Sequence, residues 1–259
     1  MNEHTKTKCG MISIVGRPNV GKSTLANVLT GDKIAIVSSK PQTTRNRIRA
    51  IVNRGDTQII LVDTPGFHKA KTKLDDYMTK IVTESVADTD AVLLMIEPVA
   101  EPGEQETELI ARIKASKCPA VLVINKIDTV PKEQLLAVIA AYSQLLDFDA
   151  VLPISAKNGK GLDELLTQLE KYAAPGPKLF PDDMTTDQPD RQVCAEIVRE
   201  KLLYCLDKEI PHGTAVVVTK FSEREDTEII DLDVTIYCEK DSHKGIIIGK
   251  NGAMLKRIG

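Results

Sequence analysis

Lys22 and Ser23 close the stretch Gly16-Arg17-Pro18-Asn19-Val20-Gly21-Lys22-Ser23, with Thr24 next. Its glycines let backbone N–H groups turn inward around phosphate, an ammonium stands where the outer phosphates would lie, and a hydroxyl is placed to ligate Mg²⁺. The helix that must follow adds its positive end. Further on, Asp63-Thr64-Pro65-Gly66 offers a carboxylate for the shell of the same ion and, in Gly66, an N–H for a γ-phosphate. Asn125-Lys126-Ile127-Asp128 supplies a second carboxylate. Asp128 can accept hydrogen bonds from guanine N1–H and the 2-amino group, which adenine does not present, and a buried carboxylate left unpaired is costly. Asn125 would tie neighbouring loops together, and the Lys126 stem would cover one face of the base. In Ser155-Ala156-Lys157 the Ala156 N–H can meet guanine O6, with Ser155 and Lys157 supporting the loop. Alone, these motifs range from a Gly-rich turn to an Asp-Pro-Gly turn. In this order they describe the walls of one guanine-nucleotide pocket.

The polar, basic stretch Ser38–Arg49 has no clear period. Thr43 and Thr44 within it are candidates for a threonine that closes over the γ-phosphate and Mg²⁺, and Thr44 is preferred. Loops ordered in this way and released on hydrolysis form switches. Ser23, Thr44 and Asp63 are thus the expected metal ligands. After Gly66 stands Phe67, where a Gln orients the attacking water in the best-known switch GTPases. Phe cannot accept a proton or hold a water, so hydrolysis is expected to be slow, with Lys22, Thr44, Gly66 and Asn19 as the catalytic set. Asn19 is suited to coordinate K⁺ beside the phosphates, so Mg²⁺ and K⁺ are the cofactors this reading calls for.

The elements that position these residues alternate strand and helix. Met11–Val15 runs as a strand into the glycine turn, and Gly21–Thr30 reads as a helix. Arg49–Asn53 and Gln58–Val62 read as strands joined by a hairpin turn at 54–57. Lys73–Ala87 carries apolar residues at helical spacing (Leu74, Tyr77, Met78, Ile81, Val82). Ala91–Ile96 and Ala120–Ile124 are continuous apolar runs, as in strands covered on both faces of a mainly parallel sheet. Glu104–Ala115, Lys132–Leu146 and Leu162–Tyr172 read as helices, and Ala150–Ile154 as the last strand. An α/β doubly wound domain follows, and all four motifs fall where a strand has just ended, the edge at which such sheets bind ligands.

With 259 residues, 42% apolar and 27% charged, the chain has room for two cores. Its net charge of −3 gives no global pull toward nucleic acid, and the lack of Trp with only four Phe and five Tyr argues against base-stacking platforms. Five scattered cysteines without CxxC spacing fit reduced thiols, buried at several positions, rather than a metal site or disulfides. The N-terminus is too polar for a signal peptide and no apolar run is long enough to span a bilayer, so a cytoplasmic protein is expected, with any membrane contact peripheral.

The boundaries read from composition are a nucleotide domain over 1–173, a Pro- and acid-rich linker over 174–190, and a second domain over 191–259. The last comprises a helix (Arg191–Leu206), two strands (Ala215–Phe221 and Ile229–Glu239) and Ile246–Gly252 before the start of another helix. Lys240–Gly259 holds five basic residues against Asp241 alone, a local basic footprint. Gly249-Lys250-Asn251-Gly252 fits the GxxG turn by which KH modules clamp a nucleic-acid backbone. Phosphate would be met by the N–H groups of Gly249–Gly252 and by Lys244, Lys250, Lys256 and Arg257. The chain stops at Gly259, seven residues past the turn, so this module is expected to be C-terminally incomplete.

The stretches GRPNVGKSTLAN, KPQTTRNRI, DTPGFH, NKID, PISAKNGKG and HKGIIIGKNGAMLKRIG together resemble those of the Era family of bacterial ribosome-assembly GTPases. The resemblance covers essentially the whole chain. It implies a P-loop GTPase domain of the Ras-like type joined to a smaller α+β type II KH domain. It also implies GTP hydrolysis to GDP and phosphate, binding near the 3′ end of 16S rRNA, and maturation of the 30S subunit by a monomer with peripheral affinity for the inner membrane. Two other readings stay open on the residues: a signalling or membrane-associated GTPase whose second domain binds protein, and a P-loop ATPase.

Overall fold

The computed structural model describes residues 7–40, 42–67, 78, 80, 81, 84, 85, 88–208, 210–225, 227 and 229–259. Most of the helix expected over Lys73–Ala87, with Leu74, Tyr77 and Val82, lies outside the described residues; Met78, Lys80, Ile81, Glu84 and Ser85 are helical. The chain divides into two compact units, Met1–Ile34 with Thr44–Asp187, and Ala35–Thr43 with Gln188–Gly259.

The first unit is a mixed sheet with helices between its strands. In chain order it contains β1 (Lys8–Val15), α1 (Lys22–Thr30), β2 (Ile48–Arg54), β3 (Thr57–Asp63), β4 (Ala91–Ile96), α2 (Glu104–Ser116), β5 (Ala120–Ile124), α3 (Lys132–Ser143), β6 (Ala150–Pro153), α4 (Leu162–Leu169) and β7 (Ala174–Pro175). The sheet order is β2-β3-β1-β4-β5-β6, with β7 on β1. β2 and β7 run antiparallel to their neighbours; the other pairings are parallel. Every residue of β4 and β5 is buried, which is why these strands read as unbroken apolar runs: helices cover both faces. β1, β3, β5 and β6 end at Val15, Asp63, Ile124 and Pro153, so the four motifs lie in the loops that leave these strand ends.

The stretch 174–187, read above as part of a linker, is a strap on the first unit. The Gln58 side chain, fully buried in β3, accepts the N–H groups of Leu179 (2.8 Å) and Phe180 (3.0 Å) and donates to the Phe180 carbonyl (2.9 Å). Ile51 N–H donates to Thr185 O at 2.8 Å, and Arg49 pairs with Asp187 at 2.5 Å. Composition suggested a linker because the strap is held through its own backbone, and backbone partners leave no mark on side-chain type. Gln58→Ala would remove three part-buried hydrogen bonds to the backbone of the strap. It is expected to cost about 3 kcal/mol of stability in urea unfolding, and a loss under 1 kcal/mol would contradict this reading of the strap.

The second unit contains α5 (Asp190–Cys205), the hairpin β8 (Thr214–Glu223) and β9 (Ile230–Cys238), α6 (Asp241–Ile248) and α7 (Ala253–Ile258). Leu202, Leu206, Ile247 and Ile258 form its core. Val37 and Thr43 are bonded to α5. Val37 N–H donates to Glu200 Oε1 (3.0 Å), Tyr204 OH to Val37 O (2.8 Å), and the buried Arg199 to Thr43 O. The basic stretch Ser38–Arg49 is therefore divided between the units after Thr43. The five cysteines are free thiols, and none is fully buried.

Candidate functional site

The turn between β1 and α1 is shaped by close backbone approaches. A Cβ on Gly16 would come within 2.3 Å of the Met95 carbonyl, and one on Gly21 within 2.2 Å of Asn125 Nδ2. Only glycine fits at either, and both have positive φ (156° and 107°). Lys22 is buried, and its ammonium donates to the carbonyls of Gly16 (3.0 Å) and Arg17 (2.8 Å), so it sits inside the loop. Pro18 packs against Gly66, Val20 is buried, and Thr24 lies in the first turn of α1. Thr64 is buried with its hydroxyl on Ile14 O (2.7 Å), and Pro65 is buried beside it.

Ser23, Thr44 and Asp63 converge. Ser23 donates to Asp63 Oδ2 at 2.6 Å, and Ser23 Oγ lies 2.9 Å from Thr44 Oγ1. Asp63 is fully buried and its Oδ1 has no hydrogen-bond partner. Two hydroxyls and a carboxylate with a spare oxygen are hard donors of the kind Mg²⁺ takes beside phosphates, so these residues fit the ion. Of the two candidate threonines, Thr44 is the one at this point; the Thr43 hydroxyl turns to Lys40 O (2.6 Å). Among the described residues no group of three or more His, Cys, Asp or Glu could hold a metal, so oxygen donors from hydroxyls carry the fit.

Burial pushes the Asp63 carboxyl up to about 6 against the attraction of Lys22, and burial pushes Lys22 down to about 8 against that of Asp63. A carboxylate must be ionised to hold a cation, and its pKa here is raised, so protons would compete with an Mg²⁺ held there as pH falls through about 6. The Mg²⁺ concentration needed for nucleotide binding is expected to rise about tenfold per pH unit below that point. Mg²⁺ titrations between pH 5 and 8 measure this, and a requirement flat from pH 7 to 5 would contradict it.

On the base side, Asn125 joins three loops. Its Nδ2 donates to Val20 O (2.8 Å), its Oδ1 accepts the Ala156 N–H (2.9 Å), and its own N–H donates to Ile96 O (2.9 Å). The Ala156 N–H, expected to meet guanine O6, is thus engaged by Asn125; the loop uses it to hold itself together. Ser155 donates to Asp128 Oδ1 at 2.6 Å, and this bond holds the Asp128 carboxyl below the usual range. Asp128 is exposed rather than buried, so any desolvation of its carboxylate would have to come from a ligand that covers it. Lys126 Nζ donates to Asn19 O at 2.7 Å, and Lys157 is exposed.

Phe67 is not at a solvent-facing position. It is buried in the core with Val15, Ile96, Leu109 and Ile110, Arg112 lies over its ring at 5.2 Å, and its N–H donates to Gly16 O at 2.9 Å. The residue after Gly66 therefore supports the phosphate loop from below.

In the second unit, α6, Gly249–Gly252 and α7 form a helix–turn–helix. Gly249 has φ 72°, and a Cβ there would lie 2.7 Å from the Met254 side chain. Asn251 also has positive φ, 53°. Gly249 N–H donates to Gly245 O (2.9 Å) and Gly252 N–H to Gly249 O (3.2 Å). The phosphate contact expected from four amides thus narrows at most to those of Lys250 and Asn251. Lys244, Lys250, Asn251, Lys256 and Arg257 are all exposed around this turn.

Two acids missed by the motifs border the nucleotide site. Glu97 follows β4 and pairs with Lys126 and, at 3.8 Å, Arg17; Glu106, buried in α2, pairs with Arg17 at 2.8 Å. The one available signal was that both lie near strand or helix ends at the loop-bearing edge.

Family models described as "50S ribosome-binding GTPase" and "KH domain" match residues 11–126 and 209–259. The chain is 52% identical over 252 residues to the GTPase Era of Ruminiclostridium cellulolyticum, covering 97% of this chain and 84% of that protein. It is 49% identical over 253 residues to the GTPase Era of Clostridioides difficile, covering 97% and 85%. Among solved structures, Era in complex with MgGDPNP and nucleotides 1506–1542 of 16S ribosomal RNA matches with TM-score 0.92 and 38% identity, over 98% of this chain and 86% of that one. A variant of Aquifex aeolicus Era bound to GDP and AlF4⁻ matches equally well, with TM-score 0.92 and 38% identity over the same shares.

Proposed function

The chain belongs to the Era family of GTPases, and from that premise we propose that it hydrolyses GTP slowly with Mg²⁺, binds 16S rRNA near its 3′ end, and assists assembly of the 30S subunit. Lys22 and the loop amides hold the phosphates, Ser23, Thr44 and Asp63 hold Mg²⁺, and Asp128 reads the base. When bound, Mg²⁺ supplies charge to the oxygens that become more negative as the terminal phosphate leaves. The chain's own residues bind, orient and neutralise: the Lys22 ammonium, held by the carbonyls of Gly16 and Arg17, would meet that charge from inside the loop. Gly66 N–H is the expected partner of the γ-phosphate. Asn19 is assigned to a K⁺ beside the phosphates. Replacing Na⁺ by K⁺ should raise the hydrolysis rate, and Asn19→Ala should remove the difference; a rate indifferent to both changes would contradict this role.

The observation that carries the RNA reading is the exposed turn Gly249–Gly252 with cations on both flanking helices. A relative similar over 98% of this chain was solved with 16S RNA, which supports the same partner here. We infer that the protein acts in the cytoplasm as a monomer, with any membrane association peripheral; no helix among the described residues is long and apolar enough to cross a membrane. Fluorescence anisotropy with a labelled 16S 3′-end fragment tests the RNA assignment. Binding should weaken as salt rises, and a Lys250→Asp, Asn251→Asp double variant should weaken it at least tenfold. Affinity indifferent to both would overturn it and favour a second unit that takes a protein.

A further inference from the structure

Glu97, the residue after β4, belongs to none of the four motifs. One oxygen of its carboxylate takes the Lys126 ammonium, and the other faces the Arg17 guanidinium at 3.8 Å. Lys126 Nζ also donates to Asn19 O in the phosphate loop at 2.7 Å. Arg17 has a firmer partner of its own: its Nε meets Glu106 Oε1 at 2.8 Å, and the other oxygen of Glu106 accepts the Gly103 N–H at 3.0 Å. Lys126 is different. Its backbone is left-handed, with φ 62°, a conformation that costs energy for any residue but glycine. Its side chain therefore leaves an unusual backbone at one end and is gripped by Glu97 and the Asn19 carbonyl at the other.

We propose that Glu97 is a positioning residue for the guanine nucleotide. It fixes the Lys126 stem where the base must lie, ties that stem to the phosphate loop through Asn19, and so sets how long the nucleotide stays bound. The inference rests on the guanine-pocket reading given above. The side chains of Glu97, Lys126 and Arg17 are 30%, 37% and 35% exposed, and ion pairs so placed add little to folding stability. Their consequence lies in the ligand: a lysine with many rotamers, restricted before the nucleotide arrives, spares the complex an ordering cost. Acting through Lys126, Glu97 should matter only while that lysine is present.

Dissociation of a fluorescent GDP analogue, chased with excess GDP, tests this in the full chain. Glu97→Gln keeps the shape and removes the charge; Glu97→Ala removes both. Each should raise the dissociation rate at least threefold, and Glu97→Ala placed on Lys126→Ala should add less than twofold. A smaller rise in both single variants, or an effect that adds in full on Lys126→Ala, would overturn the proposal. A parent chain that fails to retain the GDP analogue would overturn the pocket reading itself, and the inference with it.

Discussion

Asp128→Asn is expected to lower the affinity for GTP and GDP by about 10²–10⁴-fold while raising that for xanthine nucleotides. The carboxylate can accept from both N1–H and the 2-amino group of guanine. An amide presents one oxygen and one NH₂, so the 2-amino group meets a donor and loses its partner. Xanthine carries an oxygen at that carbon, which the amide can serve. Ser155, which donates to Asp128 Oδ1 at 2.6 Å, can still donate to an amide oxygen, so the loop should keep its form. Competitive displacement of a fluorescent nucleotide by GTP, XTP and ATP measures the exchange. A variant that still prefers GTP over XTP would mean that Asp128 does not read the base.

Phe67→Ala is expected to destabilise the first unit by about 3–5 kcal/mol, the range for deleting a fully buried aromatic ring. Phe67 is 2% exposed and packs with residues from β1, β4 and α2. Phe67→Gln should also destabilise, because it buries an amide among aliphatic groups, and it should not speed hydrolysis. The side chain at this position points into the core and not toward an attacking water. Denaturant unfolding gives the first result and GTP turnover per folded molecule the second. A Phe67→Gln variant that is as stable as the parent and hydrolyses GTP ten times faster would contradict the packing role.

The contrast between Phe67 and the motif residues shows what this sequence discloses and what it keeps. Gly16, Gly21 and Asp63 are legible because chemistry restricts them: no side chain fits where a Cβ would meet a carbonyl at 2.3 Å (Gly16) or an amide nitrogen at 2.2 Å (Gly21), and few supply a buried hard oxygen. The unbroken apolar runs of β4 and β5 declare burial on both faces in the same way. The sequence alone shows that Phe67 cannot position water, but not what it does instead, since any core accepts a Phe. The strap 174–187 was opaque because its partners are backbone groups gathered by Gln58, and one glutamine in a strand has no signature. Ala156 is a related case: an N–H facing a pocket can serve the ligand or a neighbour, and in this structure Asn125 takes it. Glu97 went unread because an acid after a strand is ordinary until Lys126 is seen against it. The division after Thr43, with Thr44 beside Ser23 and with Val37 and Thr43 bonded to α5, lies within a basic stretch of uniform composition.

Phosphate release from GTP and from ATP, each with and without Mg²⁺, tests the central claim most directly, with Lys22→Ala as the blank. The guanine-nucleotide pocket predicts Mg²⁺-dependent release from GTP, no release from ATP above the blank, and loss of the GTP signal in Lys22→Ala. Equal release from ATP, or GTP hydrolysis that survives the loss of Lys22, would contradict it.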